Sequence, residues 1–156
     1  MSLAAKVLAA AKAQGVMIAT AESCTGGMVV AALTDIPGSS AVVERGFVTY
    51  TNAAKTEMLG VRPETLAAHG AVSEEVAREM AEGALAHSHA SLVVAITGIA
   101  GPGGSEFKPE GRVCFGLAQA GAETRVETVE FGAPGRDKVR SAARDHALGL
   151  LLRALG

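Results

Sequence analysis

Two short apolar segments, each followed directly by a glycine-rich stretch, constrain the fold of this chain more than any other sequence feature. Residues 16–20 (VMIAT) lead into the turn 21–27 (AESCTGG), and residues 91–97 (SLVVAIT) lead into a loop that runs to position 111 with five glycines. Apolar runs of this length are typical of strands buried in a parallel sheet. Ligands of such sheets bind outside the carboxyl ends of the strands. Two glycine-rich loops at equivalent places therefore predict one shared pocket with exposed backbone N–H groups.

Helical patterns alternate with these strands and predict an α/β fold. Periodic apolar positions and capping residues indicate helices over residues 3–14, 28–33, 74–89 and 135–154, and a short helix that Asn52 caps and that runs to about residue 59. A further helical turn is predicted from residue 63, a proline. A β-branched segment at 42–51 indicates another strand, and two alternating runs, 112–120 and 123–131, indicate a hairpin. A length of 156 residues fits one domain. We therefore predict a single three-layer α/β/α domain over residues 1–156, with a mixed, mostly parallel sheet.

Composition excludes several classes of protein. The formal net charge is −2, so no basic surface is available to neutralise a nucleic-acid backbone. No apolar run reaches the roughly 18 residues of a membrane span, and the first residues lack the basic-then-apolar order of a secretory signal. The two cysteines are too few for a disulfide framework and have no metal-ligand spacing. We expect a cytoplasmic protein that binds neither nucleic acid nor membrane.

Assembly is a separate expectation from composition. The chain has 19 glycines, no tryptophan and 3% aromatic residues, so its core is built from small and branched aliphatic side chains. Such a domain can bury a strand or helix face between subunits, and closed homo-oligomers are the commonest soluble assemblies. We therefore expect a homo-oligomer.

Ser23 is the first candidate catalytic residue, because it lies at a predicted strand-to-helix turn. A hydroxyl there would lie at the positive end of a helix dipole, with the N–H groups of the following residues nearby to stabilise negative charge. The alternative is an ordinary helix N-cap, which position alone favours. Cys24 is a rival nucleophile, since a thiol at a helix N-terminus ionises more readily. It ranks below Ser23 because cysteine is also a common small buried residue.

Lys55 is the candidate base for such a nucleophile. A lysine acts as a base only where burial or nearby positive charge lowers its pKa from about 10.4 towards neutrality, as in the Ser–Lys pairs of some amidases. The alternative is a solvated surface lysine. Tyr50, the only tyrosine, could place its hydroxyl at the same site, or be a buried tyrosine with one hydrogen bond. None of the four histidines adjoins a glycine-rich loop, so no Ser–His pair is predicted.

Four segments in order resemble one known family, the C-terminal domain of the competence/damage-inducible protein CinA. They are residues 20–27 (TAESCTGG), 50–55 (YTNAAK), 71–77 (AVSEEVA) and 97–104 (TGIAGPGG), and the resemblance extends over essentially the whole chain. Stand-alone members of this family are nicotinamide-nucleotide amidohydrolases. The resemblance implies a pyridine-nucleotide salvage enzyme that hydrolyses the carboxamide of nicotinamide mononucleotide to nicotinate mononucleotide and ammonia. It also implies the three-layer α/β/α fold and no metal or organic cofactor.

The resemblance further implies roles for individual residues. Ser23 would attack the amide carbon, Lys55 would take its proton, and Tyr50 would supply an auxiliary hydrogen bond. The first glycine-rich turn would hold the oxyanion and the second loop the ribose phosphate. The positions concerned are Thr25, Gly26 and Gly27 in the turn, and Thr97, Gly98, Ile99, Ala100, Gly101 and Gly104 in the loop. Arg140 matches a family position for the phosphate, with Arg136 and Arg112 as equally reasonable partners.

Two other functions stay open at this point. A domain with the same pocket could bind a nucleotide without turnover, as a regulatory module. An interaction protein connected with DNA uptake or damage is suggested only by the name of the family. The lack of net positive charge argues against direct DNA binding.

Overall fold

The computed structural model describes residues 1–105 and 107–156, and its centre is a five-stranded sheet. The strands are β1 (Ile18–Glu22), β2 (Val43–Val48), β3 (Leu92–Gly98), β4 (Arg112–Gln119) and β5 (Arg125–Glu130). They lie in the order β2-β1-β3-β4-β5. β1 pairs in parallel with β2 and β3, whereas β4 is antiparallel to both β3 and β5. Every described strand except β4 therefore points the same way, which confirms the mixed, mostly parallel sheet.

Helices cover both faces of the sheet. Those of the described residues are α1 (Leu3–Gln14), α2 (Met28–Thr34), α3 (Asn52–Leu59), α4 (Pro63–His69), α5 (Glu74–Ala86) and α6 (Arg136–Ala154). Side chains of α1, α2 and α6 share one hydrophobic cluster, and side chains of α5 belong to another. Among the described residues, none of these helices combines the length and the apolarity that crossing a membrane requires.

The strands supply side chains to both clusters in alternation. On β1, Ile18 packs in the cluster of α1, α2 and α6, and Ala19 packs in the cluster of α5. On β3, Val94 belongs to the first cluster and Val93 to the second. Successive side chains of a strand point to opposite faces, so a strand buried on both faces is apolar throughout. This alternation confirms the three-layer α/β/α architecture.

Several predicted boundaries differ from the structure by a few residues. The first strand begins at Ile18 rather than at position 16, because the N–H of Val16 still donates to Ala11 O at the end of α1. Helix α5 ends at Ala86 instead of residue 89. The N-cap of α3 is Thr51, not Asn52: the Thr51 hydroxyl accepts the N–H of Ala54 at 3.0 Å.

Candidate active site

The two glycine-rich segments emerge side by side, because β1 and β3 are adjacent and parallel. The N–H of Ser23, the first residue after β1, donates to Ile96 O on β3 at 2.9 Å. A cavity of about 390 Å³ opens at this edge of the sheet. Its lining includes Ser23, Lys55 and residues 97–105. The shared pocket predicted from the two loops is therefore present.

Ser23 and Lys55 meet in this cavity although 32 positions separate them. The distance from Lys55 Nζ to Ser23 Oγ is 3.0 Å, which is a hydrogen bond. Ser23 is 7% exposed and Lys55 only 1%. The solvated surface lysine considered from sequence is thus wrong, and the base and nucleophile candidates are in direct contact.

Three oxygen atoms surround the amino group of Lys55. Besides Ser23 Oγ, they are the carbonyl oxygens of Thr49 and Tyr50, at 3.0 and 3.1 Å from Nζ. A neutral amine can donate to both carbonyls and turn its lone pair to the serine hydroxyl, whereas an ammonium can donate to all three oxygens. Burial lowers the pKa of Lys55 from its ordinary value. Burial thus shifts the protonation equilibrium of Lys55 towards the neutral form that a base requires.

The position of Lys55 depends on helix α3, whose C-terminal end packs closely on α5. Gly83 of α5 lies so near the last turn of α3 that a Cβ there would be 1.9 Å from Leu59 O. Such backbone contact is open only to glycine. At its other end α3 is capped by the side chain of Thr51. Helix α3, which carries Lys55 near its start, is therefore held at both ends.

Cys24 lies beside Ser23 in a setting that disfavours its thiolate. Its side chain is buried, and burial raises the pKa of the thiol to about 11. The thiol is therefore protonated near neutral pH, whereas the reactive form of cysteine is the thiolate. This supports the ranking of Ser23 above Cys24.

Ser23 is not a helix cap, and the dipole of α2 does not serve it. Helix α2 begins at Met28, with Gly27 as N-cap at a φ of 103° that favours glycine. The carboxylate of Glu22 accepts the N–H groups of Gly27, Val29 and Val30 at 3.0–3.1 Å. The prediction that the helix N-terminus stabilises charge at Ser23 is wrong, because a buried carboxylate already occupies that position. Sequence reasoning missed Glu22, although an acid beside a helix start is a recognisable signal.

The backbone donors of the first turn are partly used within the protein. The N–H of Gly26 donates to Ser23 O at 3.0 Å, and that of Gly27 donates to Glu22. Within residues 1–105 and 107–156, the N–H groups of Cys24 and Thr25 have no protein acceptor. Of the three predicted oxyanion positions, only Thr25 thus keeps a free donor, and Cys24 adds a second.

The second loop also divides into engaged and free donors. The N–H of Ile99 donates to Arg112 O, that of Gly103 donates to Glu110 Oε1, and Thr97 Oγ1 donates to Ala71 O at 2.8 Å. Among the described residues, three further N–H groups of this loop have no protein acceptor; they belong to Ala100, Gly101 and Gly104. All three residues line the cavity. They are available to an anion there.

The three candidate phosphate arginines have different positions. Arg136, at the start of α6, lines the cavity and donates to Gly101 O at 2.6 Å and to the Tyr50 hydroxyl at 3.0 Å. Arg140 is absent from the described lining and donates to backbone carbonyls of the first turn. Arg112 pairs with Glu130 at 2.6 Å. The geometry therefore favours Arg136 over the predicted Arg140.

Tyr50 lies at the rim of the cavity, with Asn52 close by. Tyr50 is 60% exposed, so the alternative of a buried tyrosine is wrong. Asn52 also contributes to the lining, and sequence reasoning did not single it out. Tyr50 lies on the connection from β2 to α3, and Asn52 is the first residue of α3, so one continuous segment carries Tyr50, Asn52 and the candidate base Lys55.

In the part of the chain that the structure describes, the histidines lie away from the cavity and no metal-binding cluster is found. The described lining of the cavity includes no histidine. His146 Nε2 lies 3.0 Å from Glu127, and His87 Nδ1 lies 2.7 Å from Gly83 O. No group of three or more His, Cys, Asp and Glu side chains within the described residues could hold a metal ion.

Comparison with known proteins gives consistent matches over nearly the whole chain. The model of the family described as "CinA C-terminal domain" matches residues 1–155. Nicotinamide-nucleotide amidohydrolase PncC of Escherichia coli (strain K12) is 55% identical over 152 residues, or 97% of this chain and 92% of that protein. A CinA-like protein of Chlorobium phaeobacteroides (strain BS1) is 53% identical over 91% of this chain but only 35% of its own length. The crystal structure of competence/damage inducible protein CihA from Agrobacterium tumefaciens superposes with a TM-score of 0.94 at 49% identity, covering 98% of this chain and 93% of that one.

Proposed function

The chain belongs to the CinA C-terminal domain family, and from this we propose that it hydrolyses nicotinamide mononucleotide to nicotinate mononucleotide and ammonia with a Ser–Lys pair. Identity of 55% to PncC over most of both chains supports an amidohydrolase. The observation that carries the mechanism is the 3.0 Å contact between Lys55 Nζ and Ser23 Oγ inside a cavity. Serine and a lysine of lowered pKa are together sufficient for acyl transfer.

In the first half-reaction, Ser23 Oγ attacks the carboxamide carbon while neutral Lys55 Nζ accepts the hydroxyl proton. The tetrahedral intermediate collapses when Lys55 returns that proton to the leaving nitrogen, which departs as ammonia. The product is a nicotinoyl ester on Ser23. In the second half-reaction a water molecule, deprotonated by Lys55, attacks the ester carbon. The proton then returns to Ser23 Oγ, and the carboxylic acid that leaves ionises to the carboxylate by releasing its proton to water. No step of this scheme calls on a metal or organic cofactor.

Backbone N–H groups supply the stabilisation of the oxyanion in this scheme. The donors of Cys24 and Thr25 directly follow the nucleophile, and neither has a protein acceptor among the described residues. Preorganised donors of this kind are worth about a hundredfold or more in kcat each. The proposal therefore moves the oxyanion site one residue earlier than the predicted Thr25–Gly27 turn.

The second loop and Arg136 form the proposed phosphate site. Ala100, Gly101 and Gly104, whose N–H groups have no protein acceptor among the described residues, line the same cavity as Arg136. A guanidinium and several backbone donors together match the oxygens of a phosphate monoester. Tyr50 accepts a hydrogen bond from Arg136, so its auxiliary role includes holding this arginine.

Ammonia release from nicotinamide mononucleotide tests the proposal directly. We expect turnover by the wild type, formation of nicotinate mononucleotide by mass spectrometry, and no turnover by Ser23→Ala. Ser40→Ala, in the connection between α2 and β2 and outside the described cavity lining, is a matched control and should keep full activity. Binding of the nucleotide without ammonia release by the wild type would instead identify the non-catalytic, regulatory alternative.

A further inference from the structure

Two charged side chains lie against the nucleophile turn and have no part in the proton transfers. Glu22 is fully buried at the end of β1, and Arg140 is partly buried on α6. Burial of such groups is unfavourable unless hydrogen bonds compensate for lost hydration. All their recorded partners are backbone atoms of the turn or of the helix that follows it. Both side chains thus bind the backbone of one segment, residues 24–30.

Glu22 holds the turn from its helical side. One carboxylate oxygen accepts the N–H groups of Gly27 and Val29, and the other accepts that of Val30. These bonds draw the first turn of α2 back onto the end of β1. The chain between them must then double back within residues 23–26, which places Ser23 at the cavity rather than in a helix.

Arg140 holds the same turn from α6. Its Nε donates to Cys24 O at 2.9 Å, and its Nη2 donates to Thr25 O at 3.4 Å. In a trans peptide the C=O and N–H bonds point in opposite directions. The Cys24 carbonyl therefore faces Arg140 while the N–H of the same peptide unit, which belongs to Thr25, faces away from α6. A charged donor on the carbonyl also polarises that peptide and strengthens its N–H as a donor.

We infer that Glu22 and Arg140 form a clamp that fixes the nucleophile turn with the N–H groups of Cys24 and Thr25 directed at the oxyanion. Both are positioning residues, since they act through the backbone and neither lines the cavity among the described residues. Arg140 thereby has a role in the chemical step and none in binding phosphate. The inference rests on the proposed function only in taking Ser23 as the nucleophile.

The first test compares Arg140 with Arg136 on two substrates that share the carboxamide. Nicotinamide riboside lacks the phosphate of nicotinamide mononucleotide. We expect Arg140→Gln to lower kcat about tenfold or more on both substrates with little change in KM, because part of the oxyanion stabilisation is lost. The matched control, Arg136→Gln, should raise KM for the mononucleotide alone. A rise in KM confined to the mononucleotide in Arg140→Gln would overturn the clamp.

Glu22→Gln tests the other half of the clamp. The amide nitrogen would present a donor to the N–H of Val30 or to those of Gly27 and Val29, so at least one bond is lost. We expect a lower kcat at nearly unchanged KM, and a double variant Glu22→Gln/Arg140→Gln with less than the product of the two single effects. Multiplicative effects would show that the two residues act independently. If Glu22→Gln does not fold, circular dichroism will show it and the Arg140 comparison stands alone.

A last measurement tests the clamp with a substrate that is not a nucleotide. p-Nitrophenyl acetate needs only a nucleophile and an oxyanion site, and acetylation of Ser23 is followed by release of p-nitrophenol and by mass spectrometry. We expect Arg140→Gln to be acetylated at least tenfold more slowly than the wild type. Arg144→Gln, on the same helix, paired with Asp145 at 2.9 Å and outside the described cavity lining, is the matched control and should react at the wild-type rate. Equal rates in Arg140→Gln, or no Ser23 acetylation in the wild type, would overturn the inference. Failure of the proposed function alone would appear only in the nucleotide assay.

Discussion

The two glycine-rich segments occupy equivalent places at the ends of β1 and β3, but they are held in different ways. Charged side chains, Glu22 and Arg140, fix the backbone of the first turn from opposite sides. The second loop is held by backbone bonds such as Ile99 N–H to Arg112 O. Glu110 and Arg136 also bond to its backbone, at Gly103 and Gly101, but are more exposed than Glu22. The first carries the proposed nucleophile with two N–H groups that lack a protein acceptor among the described residues, and the second carries three such N–H groups.

This difference shows that glycine content locates a pocket without assigning its chemistry. Gly26 and Gly27 are in the right turn, but their N–H groups are engaged within the protein. Gly101 and Gly104 have N–H groups that lack a protein acceptor among the described residues. Hydrogen-bond accounting, not residue type, separates an oxyanion site from a phosphate site.

The largest effect should come from replacing Lys55, the proposed base for Ser23 in the first glycine-rich turn. Lys55→Met keeps an unbranched, buried side chain but removes the amine, so we expect activity to fall about a thousandfold or more. Ammonia release measures the loss, and thermal unfolding checks that the fold persists. Activity within tenfold of the wild type would contradict the assignment of Ser23 and Lys55 as the catalytic pair.

The pH dependence of Lys55 gives the next largest effect. Burial lowers its pKa, and only the neutral amine is a base, so kcat/KM should rise about tenfold per pH unit until that lowered pKa is passed. Stability should also rise with pH between the lowered pKa and the ordinary value of 10.5, because the unfolded chain binds the extra proton there. Denaturation across this range should show the stability of the wild type increasing relative to that of Lys55→Met as the pH rises. Parallel curves would contradict a buried, titrating lysine.

Inorganic phosphate can distinguish the second loop from the first. We expect it to inhibit competitively against the mononucleotide, and Arg136→Gln to weaken this inhibition about tenfold, since a charged hydrogen bond is worth about 1.5–3 kcal/mol. Arg112→Gln, whose partner is Glu130, is the matched control and should be inhibited like the wild type. Unchanged inhibition in Arg136→Gln would remove the phosphate from this loop.

Substitution by alanine should destabilise the protein at Gly27, in the first glycine-rich turn, and stabilise it at Gly149, within α6. Gly27 has a φ of 103°, so Gly27→Ala should lower the free energy of unfolding by about 1–3 kcal/mol and reduce kcat. Gly149 lies inside α6 with open space around it, so Gly149→Ala should stabilise by about 1 kcal/mol at unchanged activity. Urea denaturation and ammonia release measure both.

The smallest effect should be at Cys24. Burial raises the pKa of its thiol to about 11, so Cys24→Ala should keep activity within about twofold of the wild type. Thiol reagents at neutral pH should leave the wild type active for the same reason. Rapid inactivation that Cys24→Ala abolishes would transfer the nucleophile role to the thiol.

Local pattern predicted most of the architecture of this CinA-family domain, including every described strand and α-helix to within a few residues. It also singled out Ser23 and Lys55, because a strand-to-turn serine and the following motif are readable in order. It could not choose between Arg136 and Arg140, which are four residues apart on one helix. Their side chains differ only in what other elements lie opposite them. The homo-oligomeric assembly and the cytoplasmic location stay predictions.

The sequence by itself determined the alternation of strands and helices, the place of the two glycine-rich segments and the family. These depend on periodicity and turn chemistry, which act over a few residues. Tertiary structure decided that Lys55 is buried against Ser23, that Glu22 occupies the start of α2, and that Arg136 lines the cavity. Burial and side-chain direction arise from contacts between distant segments, and those contacts give a serine, a lysine and two arginines their distinct surroundings.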